Sequence, residues 1–250
     1  MTVSFEIVCF HAQLSAERGS VAKPLDVQMI NILWRSARAH NRLCQLTVLT
    51  DPGTEFPGLD PAITVHRNAR RDVGLLLSRI MSQADYVDQH QFQHPLVVLD
   101  NDIIINGTIG SVFDEDFDVA VAFRRQKKSP INSGVVLLHN RRPDAVKAFA
   151  NQQLAVFVER FGHLAQWWGD QASLNAMIEV PRDIPVPSTV ELHGAKVRLL
   201  DYMVWNRSPI RTWAQVLFPK RRTKILHFKS ARRKPDMIRF YQRWFESRRA

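Results

Sequence analysis

The sequence predicts an α/β fold in which helices flank a mostly parallel central sheet. Short apolar segments alternate with longer segments whose apolar residues recur at helical spacing, a rhythm typical of such sheets. The central segment, 95–105, opens with Pro95 and an unbroken apolar run, which is typical of a strand buried on both faces. Because parallel sheets bind ligands beyond the carboxyl ends of their strands, we expect a functional site at Asp100 and Asp102.

The first hundred residues supply four strands and two helices. Helix 27–40 is predicted from apolar residues at helical spacing and from Pro24 near its start. Helix 72–85 is predicted from a second apolar stripe, with Asp72 as its N-cap. The predicted strands, each a short apolar segment, span residues 4–10, 46–49, 63–66 and 95–105.

The remaining residues continue the alternation. Residues 124–130 form a basic loop, and residues 131–134 lead into the next strand. Residues 180–220 contain several prolines, and we expect them to be irregular apart from one strand. The predicted strands span 118–123, 135–139, 197–200 and 225–228, and the predicted helices span 142–161, 166–178 and 235–249.

The composition indicates an anionic partner. The net charge is +10 and the pI is about 10.1, which favours nucleic acid, an acidic membrane surface or a phosphorylated substrate. Eleven lysines and arginines face two acids over residues 221–250. Cys9 and Cys44 lack metal-type spacing and indicate buried thiols in a reducing compartment. With no signal peptide or membrane-spanning run, we expect a cytoplasmic protein, with peripheral attachment to the inner membrane face left open.

Asp100 and Asp102 carry the first chemical prediction. Residues i and i+2 of an extended chain point to one side, so the two carboxylates repel unless a cation lies between them. Oxygen ligands suit Mg2+ or Mn2+, which also bind phosphate. The alternative is an Asp-Asn turn at the strand end with both acids solvated.

Five segments carry a resemblance to a known family. They are residues 97–103 with an Asp-x-Asp motif, 131–138 with Asn-Ser-Gly, 169–175 with Asp-Gln-x-x-Leu-Asn, Leu200 with Trp205-Asn206, and 225–228 followed by Lys234-Pro235. In this order they resemble the GT-A-fold glycosyltransferases, most closely family 8, the type that includes glycogenin and bacterial lipooligosaccharide galactosyltransferases. The tail departs from the family pattern by one extra residue, by Ser230 in place of glycine and by Asp236 in place of tryptophan.

The resemblance implies a metal site made by Asp100, Asp102 and His227. Asp100 would also reach the donor ribose, and Asn101 between the acids is expected to contact the donor. An imidazole ligand favours Mn2+ over Mg2+, although Mg2+ stays open. A lone histidine on an apolar strand is otherwise typical of a core residue.

The resemblance also implies a donor-sugar pocket. Asn132 and Ser133 would bind the sugar, and Gly134 would allow close backbone approach. Asp170 and Gln171 are the predicted catalytic residues, with Asp170 accepting sugar hydroxyls and Gln171 near the anomeric carbon. A plain turn before the strand and a helix N-cap at Asp170 are the alternatives.

Basic and aromatic residues complete the expected site. Arg79 resembles the donor-binding arginine of the family, with a buried salt bridge as the alternative. Lys229 and either Arg233 or Lys234 would neutralise the diphosphate, and we favour Lys234; a solvated basic face is the other interpretation. The pair 167–168, both tryptophan, would contact an acceptor sugar or lie in the core.

The function that the resemblance implies is metal-dependent transfer of a hexose from a nucleotide-diphosphate sugar to a glycan or glycolipid acceptor, with retention. We expect one transferase domain over residues 1–235 and a basic aromatic helix over 236–250 that contacts an anionic membrane surface or packs on the domain. The alternative is a basic nucleic-acid- or membrane-binding protein without transferase activity. We expect no nucleic-acid partner, because nucleic-acid binding does not explain an acidic pair after a buried strand. A phosphatase of the Asp-x-Asp-x-Thr type is excluded by Ile104.

Overall fold

A computed structural model describes residues 4–13, 21–70, 72–125, 129–162, 168–209 and 222–246. Its strands are β1 (Glu6–Phe10), β2 (Gln45–Thr50), β3 (Thr64–Arg67), β4 (Leu96–Leu99), β5 (Ile103–Ile105), β6 (Val119–Phe123), β7 (Ile131–Leu138), β8 (Ser188–Leu192), β9 (Ala195–Asp201) and β10 (Ile225–His227). Its α-helices are α1 (Pro24–His40), α2 (Leu75–Gln89), α3 (Pro143–Val156), α4 (Gly169–Met177), α5 (Tyr202–Trp205) and α6 (Lys234–Tyr241).

An eight-stranded sheet forms the centre, in the order β3-β2-β1-β4-β7-β6-β9-β8. Strands β3, β2, β1 and β4 run parallel, as do β6 and β9, which confirms the predicted α/β class with a mostly parallel sheet. Strand β7 is antiparallel to both of its neighbours, β4 and β6. Its first residues therefore lie beside the carboxyl ends of β4 and β6, where ligands of such sheets bind.

The central apolar run is two strands, which corrects the prediction of one strand over 95–105. Strand β4 ends at Leu99, residues 100–102 turn, and β5 leaves the main sheet to pair with β10. Asp100 and Asp102 are therefore brought together by a turn and not by extended backbone. The backbone therefore turns at the strand end, as the alternative interpretation predicted.

Both faces of the sheet are buried, as the unbroken apolar strands require. Along β1, Ile7 and Cys9 pack toward α1, whereas Val8 packs on the opposite face with α2, α3 and α4. This alternation follows from the two-residue period of a strand. The sheet is thus a rigid platform that fixes the loops at its carboxyl edge.

Three further elements differ from the prediction. Helix α2 begins at Leu75 and is preceded by Gly74, because Asp72 pairs with Arg70 instead of capping it. Strand β8 lies in a region predicted to be irregular, where it forms the sheet edge beside β9. Helix α3 passes into a π-helical turn at Phe157.

Helix α6 packs against the domain. Met237, Phe240 and Tyr241 are buried and contact a cluster that includes Met29 and Ile32 of α1. This packing agrees with the second of the two predictions for this helix, that it packs on the domain. Within the described residues, no helix combines the length and apolar character needed to span a bilayer. The boundary at residue 235 stays a prediction, and residues 247–249 of the predicted helix lie outside the described residues.

Candidate metal and donor site

Asp100, Asp102 and His227 converge at the carboxyl edge of the sheet. His227 Nε2 lies 2.9 Å from Asp102 Oδ1 and 3.2 Å from Asp100 Oδ2. The strand register explains the convergence, because β10 places His227 opposite Ile103, the residue that follows Asp102. The three groups could hold one metal ion, as the sequence predicts.

Asn206 orients His227. The Asn206 amide donates through Nδ2 to Asn132 Oδ1 at 2.9 Å, so its Oδ1 is free to accept from His227 Nδ1 at 2.8 Å. With the proton on Nδ1, the Nε2 lone pair can face a metal, which is the usual support for a ligating histidine. The family resemblance included Asn206 in one of its motifs but did not give it this role.

The charges of the site stabilise a cation at its centre. Burial lowers the pKa of His227, but the charge of Asp102 and the hydrogen bond and charge of Asp100 outweigh it and raise the pKa to about 9. Burial raises the pKa of Asp100, but Arg79 and His227 outweigh it and hold that pKa well below its usual range. The site thus stabilises positive charge, whether an imidazolium or a divalent ion carries it.

Two further observations fit a divalent cation. Asp102 Oδ1 is buried, and its close contact with His227 Nε2 does not have the geometry of a hydrogen bond among the described residues. A Cβ on residue 134 would lie 2.5 Å from Asp100 Oδ2 and would also overlap the His227 ring, so only glycine leaves the carboxylate and imidazole in place. The acids are therefore gathered in a shaped, partly buried site and are not simply solvated.

Arg79 joins the metal site to the predicted sugar pocket. Its guanidinium donates to Asp100 Oδ1 at 2.5 Å and lies 3.6 Å from Asp170 Oδ2. Asp170 Oδ2 also accepts from Ser133 Oγ at 2.9 Å. The salt bridge weighed as an alternative for Arg79 is present, and it connects two of the predicted site residues.

A chain of side-chain amides leads from the histidine to Gln171. Asn132 accepts from Asn206 and donates through Nδ2 to Gln171 Oε1 at 2.6 Å. Gln171 Nε2 donates in turn to Ser129 Oγ at 3.0 Å. Gln171 and Asp170 are both largely buried at the start of α4. The structure therefore brings the predicted metal ligands and sugar-pocket residues into one hydrogen-bonded network.

The predicted donor-contact residues around this network occupy different surroundings. Asn101 Nδ2 lies 3.4 Å from His11 Nδ1 at the end of β1. Lys234 Nζ pairs with Asp26 at 2.8 Å. Lys229 Nζ lies 3.3 Å from the Tyr202 hydroxyl.

The remaining basic and aromatic candidates differ in what the structure shows of them. Arg233 has two buried nitrogens, Nε and Nη2, without a hydrogen bond to a described residue. The Trp168 side chain is exposed, whereas residue 167 lies outside the described residues.

The fold is that of glycosyltransferases of the GT-A type. The glycosyltransferase GlyE of Streptococcus pneumoniae TIGR4 superposes with a TM-score of 0.61 at 13% identity, over 98% of this chain and 64% of GlyE. The galactosyltransferase LgtC, solved with donor and acceptor sugar analogues, superposes with a TM-score of 0.57 at 10% identity, over 94% of both chains. A glycosyltransferase involved in glycosylation of the major capsid of PBCV-1 gives 0.54 at 13% identity, over 94% of this chain and 99% of that one.

These likenesses establish the fold, and the chain spans 64% of the length of GlyE. No known family profile matches the sequence, and no curated protein matches it either. The activity must therefore be argued from the site.

Proposed function

We propose that this chain is a metal-dependent glycosyltransferase that moves a hexose from a nucleotide-diphosphate sugar to a glycan or glycolipid. The convergence of Asp100, Asp102 and His227 beside Asp170 and Gln171 is the observation that carries the proposal. The candidate cation site and the polar side chains of Asn132, Ser133, Asp170 and Gln171 share one edge of the sheet. Transfer from an activated sugar needs both.

Asp100, Asp102 and His227 would hold the cation, and the imidazole favours Mn2+ over Mg2+. When bound, a divalent cation neutralises the charge that develops on a departing diphosphate. Asp100 is also held by Arg79, which orients its carboxylate. Asn206 fixes the tautomer of His227, so that Nε2 faces the cation.

The donor sugar would lie against Asn132, Ser133, Gly134 and Asp170. Asp170 would accept hydrogen bonds from sugar hydroxyls, and Gln171 would lie near the anomeric carbon. Asn101 and Lys234 are the proposed contacts to the ribose and diphosphate, whereas Lys229, which the resemblance also assigned to the diphosphate, lies against Tyr202. The resemblance to family 8 supports retention at the anomeric carbon.

The acceptor is proposed to be a surface glycan carried on a lipid, reached from the cytoplasmic face of the membrane. Support comes from the basic C-terminal region, in which Arg232 and Arg239 are exposed. Because the apolar side of α6 packs on α1, any membrane contact would be electrostatic. Replacing both arginines by glutamine should weaken binding to anionic liposomes, and unchanged binding would argue against membrane attachment.

A thermal-shift series with Mn2+ and nucleoside diphosphates tests the proposal. Mn2+ alone should raise the melting temperature, and one nucleoside diphosphate should raise it further, because a ligand at about 100 times its Kd stabilises by about 2.7 kcal/mol. The absence of any shift with Mn2+ and every diphosphate would contradict the proposal. Salt-sensitive duplex binding without nucleotide binding would favour the nucleic-acid alternative.

A further inference from the structure

Two cationic side chains converge on Tyr202, the first residue of α5. The Arg124 guanidinium carbon lies 5.1 Å from the centre of the Tyr202 ring, and Lys229 Nζ lies 4.9 Å from it. Lys229 Nζ is also 3.3 Å from the Tyr202 hydroxyl, which donates to Ser208 Oγ at 3.1 Å. Two positive charges on one neutral ring repel each other, and cation–π attraction offsets this only in part.

Neither cation forms an ion pair within the part of the chain that the structure describes. Arg124 donates through Nη2 to the Ser129 carbonyl, and its buried Nε has no hydrogen-bond partner among the described residues. Arg79 and Lys234, by contrast, are each paired with an aspartate. The two cations without an ion pair, together with the unused Nε–H of Arg124, favour an anionic ligand beside Tyr202.

One acid, Asp201, lies beside the cluster in the sequence, and its carboxylate accepts from the backbone N–H of Met203. Residues 119–143 and 202–235 contain neither Asp nor Glu. Outside the described ranges the chain has a single acidic residue, Glu17. The positive charge is therefore a property of this region of the sequence.

The position of the cluster indicates which substrate would supply the anion. Arg124 follows β6 and Tyr202 follows β9, whereas the metal ligand Asp100 follows β4, on the other side of β7. Ser129 contacts Arg124 through its carbonyl and Gln171 through its hydroxyl, which places the cluster next to the predicted anomeric centre. Because the proposed ribose contacts, Asp100 and Asn101, follow β4, we assign the β6–β9 side to the acceptor.

We propose that Arg124, Lys229 and Tyr202 bind an acidic group, a carboxylate or a phosphate, on the acceptor sugar. This inference rests on the proposed glycosyltransferase function and specifies the acceptor class. The guanidinium supplies a planar pair of donors, Lys229 supplies a point charge, and the Tyr202 ring holds both cations in place. A neutral acceptor would leave both cations without a partner, so the cluster selects for charge.

Calorimetric titration with three matched sugars tests the proposal: methyl β-glucoside, methyl β-glucuronide and glucose 6-phosphate. The protein is titrated alone and with Mn2+ and the nucleoside diphosphate that stabilises it most. One charged sugar should bind about tenfold or more tightly than the neutral one. The tighter arm identifies a carboxylate or a phosphate as the acceptor group, and equal affinity for all three sugars overturns the proposal.

Variants assign the preference to the cluster. Arg124→Gln should reduce the preference to about twofold or less, while nucleoside diphosphate affinity stays near that of the native protein. Arg125→Gln removes the same charge from the adjacent, exposed position and should retain the preference. Thermal melts verify that each variant is folded.

Two outcomes separate this proposal from the one on which it rests. If Arg124→Gln weakens nucleoside diphosphate binding as much as charged-sugar binding, the cations serve the donor and the acceptor proposal is wrong. If the native protein binds no nucleoside diphosphate but still prefers a charged sugar, the cluster binds anions and the transferase proposal fails instead.

Discussion

Asn206 accepts a hydrogen bond from His227 Nδ1 at 2.8 Å and thereby determines which ring nitrogen faces Asp100 and Asp102. Both side chains are buried, so water cannot replace the contact easily. The same amide donates to Asn132, which makes Asn206 the link between the proposed metal site and the sugar pocket. Its effect on the cation can be measured separately from its effect on the sugar.

Asn206→Ala should lower Mn2+ affinity by about 10- to 100-fold, the usual effect of removing a group that orients a metal-bound histidine. The imidazole would lose the partner that keeps the proton on Nδ1. Titration calorimetry with Mn2+ measures the change. Asn140→Ala provides a control, because the Asn140 amide donates to the Gln93 carbonyl, away from this network. Native Mn2+ affinity in Asn206→Ala would contradict the orienting role.

Asp102→Ala should reduce transfer by at least about a hundredfold while the protein remains folded. The variant removes a proposed metal ligand. The native state then loses the attraction between Asp102 and His227 but also the repulsion between the Asp100 and Asp102 carboxylates, so we expect the fold to be retained. Donor turnover and the melting temperature are the measurements. Asp116→Ala serves as the control, since Asp116 is 70% exposed and pairs with Lys196 at the surface. Normal turnover in Asp102→Ala would rule out the metal role.

Sequence patterns anticipated most of this fold because its strands are short apolar segments buried on both faces. They did not anticipate that the chain leaves the main sheet at Asp100. The residues on either side, Leu99 and Ile103, are both buried, so their apolar character does not show whether the chain continues in the main sheet or leaves it. Strand β8 was missed because an edge strand exposes every second residue and follows several prolines.

The site was anticipated in part for a related reason. Resemblance to a family can select Asp100, Asp102 and His227, because residue types and their order can be read directly from the sequence. The hydrogen bond from His227 to Asn206 and the approach of Arg124 and Lys229 to Tyr202 depend on side chains distant in sequence. Only tertiary structure places these groups together.

Gly134→Ala should impair the site through volume alone. The added Cβ would overlap the His227 ring and Asp100 Oδ2, and forcing both away costs about 1–3 kcal/mol, as overpacking generally does. We expect a lower melting temperature and weaker Mn2+ binding, measured by thermal melts and calorimetry. Gly107→Ala is the matched control, because a Cβ there meets nothing closer than 3.9 Å. If the two variants bind Mn2+ equally, the close approach at Gly134 does not shape the site.

Glu6→Gln should change how stability depends on pH. Burial raises the pKa of Glu6, but hydrogen bonds from His90, Thr47 and Tyr86 outweigh burial and hold the pKa below its ordinary value of 4.5. A carboxylate whose pKa is depressed by folding stabilises the native state above its unfolded pKa, and this stability is lost as pH falls through the folded pKa. The native protein should therefore lose more unfolding free energy than Glu6→Gln between about pH 5 and pH 3. Urea denaturation across this range measures both, with Glu191→Gln at an exposed position of β8 as the control. Parallel curves for the native protein and Glu6→Gln would show that the Glu6 carboxylate gains nothing from its three partners.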